Sequence, residues 1–194
     1  MVEDATRQLQ QSLSSAVTRL RMIVSSNQEA TANQITAART LLEYSAQHGI
    51  CTFCYGTLAG GFLDERYMGK VYEAPETRSQ VKYMQIIEDS LGWDGMQKLL
   101  VLLRDIAGKY GVSVANVAVQ YILRQKSVGA VMVGTRNSKH VESNVRTLQF
   151  DLSDEDMAAI RAFLDQYPTP EGECYELERT SPRYQSIILT DLNK

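Results

Sequence analysis

Three stretches of this chain put polar side chains and glycine where apolar runs end, the arrangement from which binding sites are built. In Gly134-Thr135-Arg136-Asn137-Ser138 a glycine, a hydroxyl and an arginine lie between an apolar run and an amphipathic one. If a strand ends there and a helix begins, free backbone N–H groups and the helix dipole favour an anion. Arg136 adds a planar fork that matches a phosphate, and Asn144, about two turns into the helix, is placed to meet a purine edge. Arg136 can equally be a solvated loop side chain resting on nearby carbonyls, and spacing leaves both readings open. Tyr55-Gly56 ends a second apolar run. The tyrosine there either stacks on a flat ring while the glycine admits a ligand to the backbone, or fills the core. Gln28, after a third run, either holds an amide through paired hydrogen bonds or is an ordinary loop residue.

The remaining reactive groups are few. Two histidines, His48 and His140, are the imidazoles of the chain. His48 falls in the last turn of a predicted helix, a position suited to covering carbonyls. Cys51 and Cys54 make a C-x-x-C spacing, but on a strand that spacing points the thiols to opposite faces. With Cys174 the cysteines number three, too few for a disulfide scaffold. No cluster has the spacing of metal ligands.

The elements that position these groups follow from periodicity. Leu9, Leu13, Val17 and Leu20 mark one face of a first helix, and Met22-Ile23-Val24 a short strand. A helix through Ile35, Ala38, Leu41, Leu42 and Ser45 stops at Gly49, a residue suited to the C′ position. Strands are predicted over 50–55 and 127–133. Between them lies a helical region over about 76–125, broken near Gly92 and near Gly108–Gly111. Further helices are expected from near Ser138 and from Ser153, where Asp156 three residues on approximates a capping box. This alternation is the grammar of parallel βαβ units. It fits a doubly wound sheet or an eight-stranded barrel, and in both a ligand lies beyond the C-terminal strand ends. Three such strands leave two open edges, which invite association.

Bulk properties narrow the function. With 44% apolar and 22% charged residues, the 194-residue chain has globular composition. A net charge of -3 argues against nucleic acid as a main partner. No run approaches the roughly 18 apolar residues that span a bilayer. The acidic start Met1-Val2-Glu3-Asp4 is unlike a signal peptide, so the cytoplasm is the expected compartment.

Together the three loops resemble the aldo-keto reductase family. Val24-Ser25-Ser26-Asn27-Gln28 is similar to the family's sixth strand. Cys54-Tyr55-Gly56-Thr57-Leu58-Ala59-Gly60-Gly61-Phe62-Leu63 resembles the end of the seventh in a branch with Tyr-Gly-Thr-Leu-Ala-Gly-Gly-Phe-Leu. Gly134-Thr135-Arg136-Asn137, continuing to Asn144, resembles the adenosine 2′-phosphate loop and helix. The resemblance implies an α/β fold, a partial TIM-like (β/α) barrel of about the last three β/α units. It spans 1–167 and is followed by a loop-rich tail over 168–194. It implies NADP (NADPH) as cofactor. Gln28 would meet the nicotinamide amide, Tyr55 would stack on the ring, and Gly56, Thr57 and Leu58 would line the pyrophosphate. Gly134, Thr135 and Arg136 would hold the 2′-phosphate and Asn144 the adenine. Most members have serine at the place of Gly56, and many have glutamate at the place of Ser143.

The family's catalytic tyrosine, lysine, histidine and aspartate come from the other half of the barrel. The expectation is therefore a cofactor-binding fragment or subunit that is inactive alone. It would pair with a complementing N-terminal half or self-associate through open sheet edges. The alternative is a non-catalytic binding or scaffold subunit derived from a reductase.

Overall fold

The computed structural model describes residues 42–75, 77–134, 138–168 and 182–185. The expected first helix, the strand at Met22–Val24, Gln28, Thr135, Arg136 and most of the tail lie outside the described residues. Helical turns over 42–47 end at Gly49, whose φ of 64° is the left-handed C′ conformation. Ile50 N–H donates back to Ser45 O at 2.8 Å, which completes the motif. The ring of His48 bonds Tyr44 O through Nδ1 at 2.8 Å and stacks on Tyr44. It covers a helix-end carbonyl, as its position predicts.

Two strands follow the expected runs, β1 (Thr52–Cys54) and β2 (Val128–Val131). They pair in parallel, Thr52 opposite Val128 and Cys54 opposite Val131. Among the described residues these two are the whole sheet, so a mixed, helix-rich α/β fold is what is seen and the barrel arc is not. The region between them forms three helices: α1 (Arg78–Asp89), α2 (Gly92–Tyr110) and α3 (Val114–Leu123). They break where the glycines predict. Gly92 and Gly111 have φ of 64° and 65°, and Val112 N–H bonds Ala107 O at 3.1 Å beyond the second stop. After β2 come α4 (Lys139–Arg146), α5 (Asp154–Leu164) and α6 (Pro182–Gln185). Ser153 caps α5, its Oγ accepting from Asp156 N at 3.2 Å.

The core belongs to the helices. Met96, Leu99, Leu100, Leu103, Ile106 and Ala107 recur at three- and four-residue spacing on α2 and are buried. They pack against Met84 and Ile87 of α1, Val114, Val117 and Ala118 of α3, Leu152, and Ile160 of α5. Each large side chain so buried contributes roughly 1.5–3 kcal/mol. No strand residue joins this cluster, and Phe53, Tyr55 and Met132 are mostly exposed. The sheet is thus a ledge on a helical platform, and it positions the loops at its C-terminal edge.

Candidate functional site at the C-terminal strand ends

Because β1 and β2 run parallel, their C-terminal ends emerge on one side. Met132 N–H donates to Cys54 O at 2.8 Å, so Tyr55 and the Val133-Gly134 segment leave the sheet as neighbours. The beginnings of two of the three predicted loops are therefore brought together by backbone pairing. Tyr55 is 61% exposed, so it does not fill a core, and its ring is accessible to a planar ligand. Gly134 is exposed, with open space where a Cβ would stand.

The loop after Tyr55 is a tight, self-bonded turn. Ala59 N–H bonds Gly56 O at 3.0 Å, and Gly61 N–H bonds Leu58 O at 2.8 Å. Gly56 and Gly60 take φ of 70° and 67°, conformations open to glycine at no steric cost. Leu58 and Thr57 are half-buried within the turn. Phe62 is buried against Tyr67 and Trp93 and nails the loop to the helices. Farther on, Asp64 caps the 3-10 turn Glu65–Tyr67 by accepting from Arg66 N. Glu65 reaches across to the start of α3, where its carboxylate accepts Val114 N–H at 2.7 Å beside Arg104 at 3.8 Å.

Asn144 lies half-buried on α4, and its Nδ2 is buried without a hydrogen-bond partner among the described residues. An unmet buried donor is costly, and an acceptor nitrogen or oxygen of a ligand would offset that cost. The glycine turn at Gly56 and Gly60 is covered by the ring of Tyr83, so the orphan donor of Asn144 is the group here that could take up a ligand's acceptor. Ser143, where many family members have a glutamate, presents its backbone O to Asn116 Nδ2 at 2.7 Å. Glu142 is turned outward to Arg146 at 3.1 Å. A cleft of about 410 Å³ lined by Glu65, Arg104, Asn116, Glu142 and Arg146 opens on this side of α4. At 3.6 residues per turn Asn144 points to the other side, so the cleft and the base-edge donor are separate.

Neither thiol of the described C-x-x-C pair is bonded to another cysteine. Burial pushes the Cys54 thiol up, toward its neutral, unreactive form. Among the described residues no group of three His, Cys, Asp or Glu side chains is arranged to hold a metal. No helix among them is long and apolar enough to cross a membrane. Sequence reasoning missed Glu65 and Asn116. Ser113-x-x-Asn116 carried a legible capping signal, whereas Glu65 acts on a partner remote in sequence, Val114 N–H.

A model of the Aldo/keto reductase family matches residues 7–165. Protein tas of Escherichia coli K12 is 25% identical over 130 residues, 67% of this chain and 36% of its own length. The L-glyceraldehyde 3-phosphate reductase of Escherichia coli O157:H7 is 25% identical over 121 residues, 62% of this chain and 35% of its own. The NADP-dependent D-sorbitol-6-phosphate dehydrogenase of Malus domestica is 35% identical over 68 residues, 35% of this chain and 21% of its own. The solved structure of a thermostable aldo-keto reductase aligns with a TM-score of 0.42 at 18% identity, over 63% of this chain and 33% of that one. The chain thus spans about a third of the length of the first two relatives.

Proposed function

From the premise that the chain belongs to the aldo/keto reductase family, we propose that it is the NADP-binding portion of a carbonyl-reducing oxidoreductase. The observation that carries this reading is the parallel pairing of β1 and β2, which sets Tyr55 beside the segment leading to Gly134. Tyr55 then stacks on the nicotinamide, and Gly56, Thr57 and Leu58 offer backbone to the pyrophosphate. Gln28, Gly134, Thr135 and Arg136 complete the grip on amide and 2′-phosphate, with Asn144 at the adenine. The cofactor supplies the hydride, and the chain's own residues orient it and select the phosphate-bearing form. The NADP-dependent relative supports that selection.

Hydride delivery to a carbonyl requires a proton donor at the developing alkoxide. His48 is engaged with a helix carbonyl and Cys54 is held neutral. We take the proton donor to be the tyrosine that the family resemblance places in the other half of the barrel, so the 194 residues alone should bind NADPH without turning over a carbonyl. The test is calorimetric titration with NADPH and NADH. Arg136→Ala should weaken NADPH by about 1.5–3 kcal/mol, as for hydrogen bonds to a charged group, and leave NADH nearly unchanged. Equal loss for both cofactors would sink the 2′-phosphate role, and turnover by the isolated chain would sink the assignment of the missing acid.

A further inference from the structure

Gly56 stands where most members of this family have serine, and the space its side chain would fill is already taken. A Cβ built on Gly56 falls inside the van der Waals shell of Tyr83 Oη and 2.9 Å from Tyr83 Cζ. The same ring crosses Gly60, where a Cβ would lie 2.8 Å from Tyr83 Cδ2. Tyr83 comes from α1, a separate element, so glycine at 56 and tyrosine at 83 are complementary halves of one arrangement. With the ring as it lies, a serine at 56 would collide with the phenol and Tyr83 would have to turn away. Tyr83 is half-buried, and its hydroxyl has no hydrogen-bond partner among the described residues. A phenol oxygen thus stands at the place of a serine side chain, on the loop that follows Tyr55.

We propose that Tyr83 is a cofactor-positioning residue: its Oη replaces the side-chain hydroxyl missing at Gly56 and donates a hydrogen bond to a diphosphate oxygen of the bound dinucleotide. This rests on the cofactor reading above and adds a residue to it. The chemistry is consistent in sign, since a diphosphate only accepts and a phenol at neutral pH donates. A bond to a charged acceptor is also stronger than one between neutral groups. The rigid ring carries its hydroxyl on two torsions, whereas a serine at 56 would need a left-handed backbone unfavourable to any side chain.

The experiment compares the full chain with its Tyr83→Phe variant, which keeps the ring over Gly60 and removes only the oxygen. NADPH affinity should fall about tenfold. Adenosine 2′-monophosphate, which lacks the diphosphate, should bind both proteins equally. Equal NADPH affinity for the two proteins overturns the role of Tyr83 while the cofactor site stands. Parallel loss of both ligands means the ring shapes the site in general, and overturns the hydrogen bond. Absence of NADPH binding by the unmodified chain overturns the cofactor reading and this inference with it.

Discussion

Asp156 is the most constrained charge among the described residues. It is 3% exposed and receives Lys109 Nζ at 2.5 Å, Tyr110 Oη at 2.6 Å and Ser153 Oγ at 3.1 Å. Burial alone would raise its carboxyl, but the hydrogen bonds from Lys109, Tyr110 and Ser153 outweigh that and hold it below the usual carboxylate range. The group therefore titrates lower folded than unfolded, where the ordinary value is about 3.9. Between those values the unfolded chain binds more protons, so this stabilisation is present above the unfolded value and is lost as pH falls through the folded one. Asp156→Asn should cost about 2 kcal/mol at neutral pH, and its urea-denaturation stability should converge on that of the unmodified chain as pH falls through the lowered folded value. A constant gap at all pH values would refute the linkage.

Among the elements, the joint between α3 and α4 matters most to the site, because α4 carries Asn144. Ser113 and Asn116 form a reciprocal capping box at the start of α3. The free amide end of Asn116 then donates to Ser143 O and Thr147 Oγ1, each at 2.7 Å. One side chain thus both starts a helix and docks the next. Asn116→Ala removes the dock and the reciprocal half of the capping box, leaving the Ser113 Oγ bond to the 116 N–H, and should cost about 2–3 kcal/mol. Asn116→Asp keeps an acceptor for the cap but turns a carboxylate oxygen toward Ser143 O, so the loss should localise to the dock. Hydrogen exchange would then quicken in α4 far more than in α2, and uniform quickening would refute a local joint. The capping box was legible because its two residues are three apart. The dock was not, since nothing in the local pattern tells which carbonyl a buried amide will meet.

At the scale of the molecule, burial is uneven. The core is gathered around α2, while Phe53, Tyr55, Met132, Val141, Val145 and Leu148 are each about half exposed or more. Val141, Val145 and Leu148 fall at the spacing of one helical face, so the apolar exposure of α4 and its adjoining turn is a stripe rather than a scatter. Each described strand is paired on one side only. Contiguous apolar surface favours association. The isolated 194-residue chain should therefore sediment with concentration-dependent mass, and its melting temperature should rise with protein concentration. A monomer at every concentration with a sharp, invariant melt would contradict this.

The amino-acid sequence by itself determined the order and most of the boundaries of the described elements. Glycines at 49 and 111 stop helices through local φ, and the caps at Ser113 and Ser153 act over three residues. It also determined the family, because Tyr55-Gly56-Thr57-Leu58 and the 134–144 run keep their types and order whatever the packing. What only tertiary structure decided is which of those residues meet. Backbone pairing set Tyr55 beside the 133–134 segment and left it exposed. The crossing of α1 over the glycine turn put the Tyr83 hydroxyl in the place of a side chain at 56. Such contacts join residues on separate elements, and their energies depend on shape and desolvation at close range, which periodicity along the chain does not encode.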